Sequence, residues 1–390
     1  MTQFLVVSNL VFVLVGVATT MLGPLLPIFA ARFGLSDHQS GALFLAQFFG
    51  GFAGSILSTE LSKRYGLRRT IRLGLLVIAV GSLGTTLPSL NLLLASVALY
   101  GIGIGFCSPT ITAAVGEASP NNCAAALNVL NFSWTIGAIV APAILVRLSL
   151  MPNFGYIGAM SVVAAALALS TFAFPRFEET IAAAYDGNQP LSAGLLRLIV
   201  ATGVVIFIYV GIENGVAGWL PTLATRVYDL NADRRALLQA TFWIALLAGR
   251  LMAPLVLRVR SEQMVLKTAI LIALAGTVGI LAAHGTVMLV AMVFVAGFGL
   301  APIFPTTIAY LSHRLGGQSG ARLGWMFAAA GLGGAAVPYF VGAVSSATGK
   351  LVLGFATLIL AECLLFCANL VTAAQGARLG ELAHQSTPVA

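Results

Sequence analysis

Charge is what this chain has least of. Asp, Glu, Lys and Arg make up 8% of its 390 residues, against 59% hydrophobic. A water-soluble fold of that length needs a far more polar surface, so a soluble enzyme or binding domain is excluded. Cysteine is sparse too, at four. Cys107, Cys363 and Cys367 lie in apolar stretches and Cys123 in a loop, which argues against a disulfide framework. The four histidines are scattered without metal-ligand spacing, and no nucleophile motif or His/Asp pair stands out, so neither an enzyme nor a metal or other cofactor is expected. GIGIGF at Gly101 has no strand before it and no acidic residue after it, so Gly101 and Gly105 read as a small-residue helix face, as do Gly50 and Gly54, and not as a dinucleotide loop.

What the chain has in quantity is long apolar runs, which define an all-α polytopic membrane protein. Twelve transmembrane helices are expected at about 4–30, 41–62, 71–88, 91–115, 127–149, 155–174, 195–222, 237–258, 266–283, 286–313, 322–346 and 351–374. The polar segment 175–194, PRFEETIAAAYDGNQPLSAG, interrupts the pattern at its midpoint. It is read as a cytoplasmic linker between an N-terminal six-helix half, 1–174, and a C-terminal six-helix half, 195–374, with a fraying cytoplasmic tail over 375–390. The first apolar run is too long for a cleaved signal and has no basic lead, so it is expected to remain as the first span.

The net charge of +8 follows from topology and does not point to nucleic acid. The ends of the chain and the loops after spans two, six, eight and ten hold thirteen Lys and Arg residues, against six on the opposite side. The positive-inside rule then places both termini in the cytoplasm of a multi-pass protein of the cytoplasmic membrane, with the lipid bilayer as its surroundings.

The second half repeats the first at an offset of 195 to 196 residues. Gly54, Lys63, Arg72, Gly81 and Gly84 fall on Gly249, Arg258, Lys267, Gly276 and Gly279. Gly101, Gly103, Pro109, Thr110, Gly137 and Pro142 fall on Gly297, Gly299, Pro305, Thr306, Gly333 and Pro338. Because glycine and proline set backbone shape and helix approach, their ordered recurrence implies a recurring backbone.

Two six-span halves repeated in parallel resemble the major facilitator superfamily. That resemblance implies a solute site between the halves near mid-membrane and alternating access by rocking. The loop LSKRYGLRR supports it: Gly66, Arg68 and Arg69 stand as in many members, although Lys63 replaces the usual aspartate of the inner gate latch. Glu60, one turn before Lys63 and Arg64, is the candidate replacement, the alternative being a solvated charged helix end. YVGIENGVAGWLP (209–221), FWIALLAGR (242–250) and LNVLNFSWTIGAIVAP (127–142) look like stretches of the fucose/glucose-type sugar symporter group. The carboxylates which that group tends to carry in its first and fourth spans are missing here, so its N-half proton coupling does not carry over.

The residues expected to carry the chemistry are the polar ones that lipid should exclude. Glu213 lies inside an apolar run, where an unpaired carboxylate costs at least ~2.5 kcal/mol. It is the candidate proton carrier and solute contact, with Arg250 in the eighth span as partner; the other reading of Arg250 is that it snorkels to the cytoplasm. Sugar recognition needs donors and acceptors beside an aromatic face. Gln47, Asn128, Asn131, Trp134, Asn214, Trp219, Gln239 and Trp243 are the candidates, against a bland reading as interhelical glue and interfacial anchors. Pro109 and Pro305, at equivalent positions, are expected to bend gating helices.

The reading that follows is a secondary transporter, and no enzyme, moving a small polar solute by alternating access, with protons as a candidate coupling ion. A monosaccharide is favoured and a monomer expected. The alternatives are an exporter of amphipathic compounds, and a membrane sensor that kept the fold but lost turnover.

Overall fold

An apolar run in lipid must satisfy its own backbone amides, and the α-helix does this within one segment. The computed structural model describes residues 2–119, 123–151, 155–175, 192–315 and 319–385, and over these the chain is helix joined by short turns. The helices are α1 (Thr2–Thr20), α2 (Leu22–Phe33), α3 (Asp37–Tyr65), α4 (Leu67–Gly84), α5 (Leu90–Ala118), α6 (Cys123–Leu150), α7 (Gly155–Ala173), α8 (Ala193–Arg226), α9 (Ala232–Leu257), α10 (Glu262–Leu281), α11 (Thr286–Leu300), α12 (Ile303–Leu315), α13 (Ser319–Thr348) and α14 (Leu351–Gln385).

They make the twelve expected spans, because α1 with α2 forms the first and α11 with α12 the tenth. Eleven of the spans are long and apolar enough to cross a bilayer on those criteria alone. The twelfth is α4, whose first turns carry Arg68, Arg69 and Arg72. Pro305 sits in the first turn of α12, where its missing N–H leaves no intrahelical bond unmade. Its sequence equivalent Pro109 lies inside the unbroken α5, so the two prolines do different local work. Of the expected linker, residues 176–191 lie outside the described residues. The tail differs from expectation. α14 runs on to Gln385, well past Ala374, since ARLGELAHQ is rich in good helix formers and continues a helix already nucleated.

Contacts gather the chain into two compact units. The first comprises Met1–Ala183, Gly215–Trp243 and Pro338–Phe355; the second comprises Ala184–Asn214, Ile244–Val337 and Ala356–Ala390. Within the first, α3 and α5 approach to backbone contact. A Cβ at Gly50 or Gly54 would overlap the carbonyls of Ala98 or Ile102, and one at Gly101 or Gly105 those of Gln47 or Gly51. The small-residue faces read from the sequence are therefore the seam between these helices. In the same unit Gly16 and Gly137 seat α1 on α6, against Trp134 and Val13. The second unit repeats this seam with Gly211 and Gly333, which seat α8 on α13.

The turn between α3 and α4 is one residue, Gly66, at φ 88° and ψ 159°, a conformation costly for any residue with a Cβ.

Candidate solute and proton site

The second unit holds the intramembrane charge cluster. Glu213 lies on α8, its side chain only 11% exposed, and its Oε2 accepts a hydrogen bond from the Tyr209 hydroxyl one turn earlier. Arg250 on α9 brings Nη2 to 3.7 Å from the same oxygen, with its side chain 28% exposed. Glu213 lies 13 residues from the end of α8 at Arg226, and Arg250 lies 18 residues from the start of α9 at Ala232. These depths are about 20 and 27 Å, so the long Arg250 side chain reaches back along its helix toward the carboxylate instead of snorkelling away. The Tyr209 ring also packs on Phe304 at 6.2 Å, and Phe304 on Phe327 at 6.0 Å. Among the described residues Arg250 Nε is buried without a hydrogen-bond partner. The cluster is a carboxylate held by one hydroxyl and one cation, beside aromatic faces and with donor capacity in reserve.

The first unit holds an aromatic cluster. Trp134 of α6 meets Trp243 of α9 edge to face at 5.7 Å, and Phe242 meets Trp243 at 5.3 Å. Trp243 is buried and its Nε1 has no hydrogen-bond partner among the described residues. One turn back on α9, Gln239 is buried, donates from Nε2 to the Ala217 carbonyl at 2.8 Å, and leaves Oε1 unpartnered. A buried donor and a buried acceptor thus stand free one helical turn apart, at a desolvation cost of about 1–3 kcal/mol each.

Three of the other amides give one N–H to a backbone carbonyl. Gln47 donates to the Thr19 carbonyl at 2.8 Å and accepts from the Tyr100 hydroxyl at 3.0 Å. Asn131 and Asn214 each donate to the carbonyl four residues before, Leu127 and Val210. Trp219 is buried and donates from Nε1 to the Pro338 carbonyl at 2.8 Å, so it is no interfacial anchor. Asn128 is exposed.

At the gating loop Glu60, Lys63, Arg64 and Arg69 are exposed, and no ion pair forms between Glu60 and either Lys63 or Arg64. Arg68 instead closes the end of α7, donating to the carbonyls of Phe174 and Pro175.

A family model described as the Major Facilitator Superfamily matches residues 9–338. The chain belongs to that superfamily. It is a multi-pass membrane transporter and not an enzyme. Among curated relatives, this superfamily member is 24% identical over 345 residues, 86% of each chain, to the 2-nitroimidazole transporter of Escherichia coli (strain K12). Among solved structures it is similar to an inward-facing, occupied bacterial homologue of the human lysosomal transporter Spinster. That match has a TM-score of 0.76 at 16% identity and covers 99% of this chain and 98% of that one. It is also similar to the outward-facing transporter FucP, with a TM-score of 0.61 at 20% identity over 94% and 98%. At these identities the structures show the superfamily fold alone.

Two buried groups of this transporter escaped the sequence reading. Tyr209 was legible only as a neighbour of Glu213 at helical spacing. Glu362 lies inside the apolar run of α14; it is fully buried, its Oε1 accepts from the Thr277 hydroxyl at 2.7 Å, and its Oε2 has no hydrogen-bond partner among the described residues. A lone carboxylate in a span is the signal that marks both Glu213 and Glu362.

Proposed function

We propose that this protein is a secondary transporter of a small polar ring compound, working by alternating access and coupled to protons through Glu213. The observation that carries the reading is the Tyr209–Glu213–Arg250 cluster. A carboxylate buried in a span exchanges its proton only when the surroundings let it, and Arg250 is the cation whose compensation changes when it does. Both termini lie in the cytoplasm on this reading, and the protein works as a monomer in the inner membrane.

For the solute, a flat nitrogen heterocycle is favoured. The free Trp243 N–H and Gln239 carbonyl offer one donor and one acceptor beside a tryptophan pair, which suits a ring with few polar atoms. The 24% identical relative is named for 2-nitroimidazole, which agrees with this class. A monosaccharide is the second reading. It rests on the sugar-symporter resemblance of 127–142, 209–221 and 242–250, and Gln47, Asn131, Asn214 and Gln239 would meet the solute with one N–H each already given to a backbone carbonyl.

The experiment is uptake and counterflow in proteoliposomes with a nitroimidazole and with a hexose panel. The expected result is accumulation driven by a pH gradient, with Glu213→Gln retaining counterflow and losing the pH-driven component. Full pH-driven accumulation by Glu213→Gln would overturn the coupling assignment. Counterflow of hexoses alone would select the monosaccharide.

A further inference from the structure

One face of the first unit is fastened by groups that the sequence reading did not single out. It is the side that carries the connections after the odd-numbered spans. Ser36 builds a capping box with Gln39, its Oγ accepting from the Gln39 amide while Gln39 Oε1 accepts from the Ser36 amide. This fixes Asp37 and His38 in the first turn of α3. Asp37, its side chain 11% exposed, accepts from Arg226 Nη1 at 2.6 Å through Oδ1 and from the Ser345 hydroxyl at 2.5 Å through Oδ2. Arg226 closes the last turn of α8 and Ser345 lies in the last turns of α13. The His38 amide donates to Ser346 Oγ at 2.7 Å, and His38 Nε2 meets the Tyr339 hydroxyl at 2.7 Å. Gly342 lets α13 come so close that a Cβ there would overlap the Asp37 carbonyl and crowd the Trp219 ring.

A second contact on this face follows the internal repeat. Asp233, in the first turn of α9, stands 196 residues after Asp37. It pairs at 3.4 Å with Arg147, in the last turn of α6. Each half of the chain therefore supplies an aspartate at the start of its second span that reaches the end of the fifth span of the other half. The two differ in burial: Asp233 and Arg147 are 65% and 75% exposed, where water screens most of their attraction.

We infer that Asp37, with Arg226 and Ser345, is the clasp that holds the odd-loop face of this transporter shut, and that Asp233 with Arg147 is its weaker repeat. Three helix ends meet on one nearly buried carboxylate, so parting them strips it of a cation and a hydroxyl at once. The clasp also lies at the far end of α3 from the LSKRYGLRR loop, where Lys63 stands in place of the usual acid and Glu60 makes no ion pair with Lys63 or Arg64. The charge that fastens this chain stands at the opposite end of α3.

The inference rests on the alternating-access reading, but its readout is a distance and needs no solute. Spin labels at Gly34→Cys and Lys350→Cys, with Cys123, Cys363 and Cys367 changed to Ser, report the span between the α2–α3 and α13–α14 turns in nanodiscs. The parent is expected to give one short distance. Asp37→Asn should add a longer population, raising the open-to-closed ratio about tenfold, and Asp233→Asn should change it less than about twofold. The exchange Asp37→Arg with Arg226→Asp should recover most of the short population. Should Asp37→Asn fail to give folded protein, Ser345→Ala supplies the same readout with a smaller shift in the same direction. Unchanged distances in Asp37→Asn and Ser345→Ala, or equal shifts from Asp37→Asn and Asp233→Asn, would overturn the clasp. Failure of every solute in counterflow with the distance shifts intact would count against the transport reading and leave the clasp standing.

Discussion

Replacing Arg250 by Met tests the charge cluster at its least ambiguous point. At 3.7 Å the Glu213–Arg250 attraction is about 4 kcal/mol for an effective dielectric near 20. Removing one member of a buried pair costs about 3–5 kcal/mol, because the survivor keeps its charge without compensation. Arg250 is 28% exposed and part of its work is done by water, which brings the expected loss to about 2–3 kcal/mol. For a chain of this length that is a fall of about 2–4 °C in the unfolding temperature, read by tryptophan fluorescence in one detergent at one pH. Glu213→Gln alone should cost only about 1 kcal/mol, since Tyr209 keeps a partner and Arg250 can turn toward solvent. The double variant should recover much of what Arg250→Met loses, a coupling of about 1–3 kcal/mol. Additive losses, with coupling below about 0.5 kcal/mol, would show that the 3.7 Å approach carries no energy, and the proposed role of Arg250 in proton coupling would lose its basis.

Trp243→Phe removes a buried N–H that has no partner, so the ligand-free protein should keep its stability within about 0.5 kcal/mol while a bound heterocycle loses much of its thermal stabilisation; a loss above about 2 kcal/mol without ligand would show a structural bond there. Gly54→Leu wedges α3 off α5 and should destabilise by about 1–3 kcal/mol or block insertion, whereas Leu at the open Gly285 should leave expression and unfolding temperature unchanged. Glu362→Gln keeps a carbonyl for Thr277 and should move the unfolding temperature by less than about 1 °C; if it also abolishes pH-driven uptake, α14 carries a proton as well.

The frame was legible because lipid leaves the backbone few choices. Every predicted span became helix, the first and tenth as two consecutive helices, and ends moved by five residues or fewer except at the tail, where α14 continues to Gln385 through residues that look polar yet favour helix. Glycine spacing was legible for the same reason, as Gly50, Gly54, Gly101 and Gly105 show, since close helix approach demands small residues at fixed intervals. The amides were legible only as residue types. Asn131 and Asn214 turn back on their own helices, which no spacing rule separates from turning toward a solute. Asp37 was invisible for a different reason: its partners Arg226 and Ser345 lie 189 and 308 residues away, and an acid beside a loop has no local pattern that marks it as shared.

The repeat explains why the frame is doubled and the chemistry is not. Gly16 with Gly137 and Gly211 with Gly333 do the same work twice, because a glycine against a carbonyl costs nothing beyond its own flexibility. A buried charge is different, since each ion left without a partner costs several kcal/mol, so a second copy of Glu213 would need a second Arg250. The sequence sets Ala18 or Thr19, and Ser55, at those positions of the first half, which spares that cost, and among the described residues the Glu213–Arg250 pair has no counterpart there. Where an acid is doubled, as with Asp37 and Asp233, both are paired, but one carboxylate is nearly buried while the other stands in water. The two copies then contribute unequally to closure. A doubled backbone with unequal fastenings can close one face firmly with a single carboxylate, without requiring that the opposite face be closed by the same device.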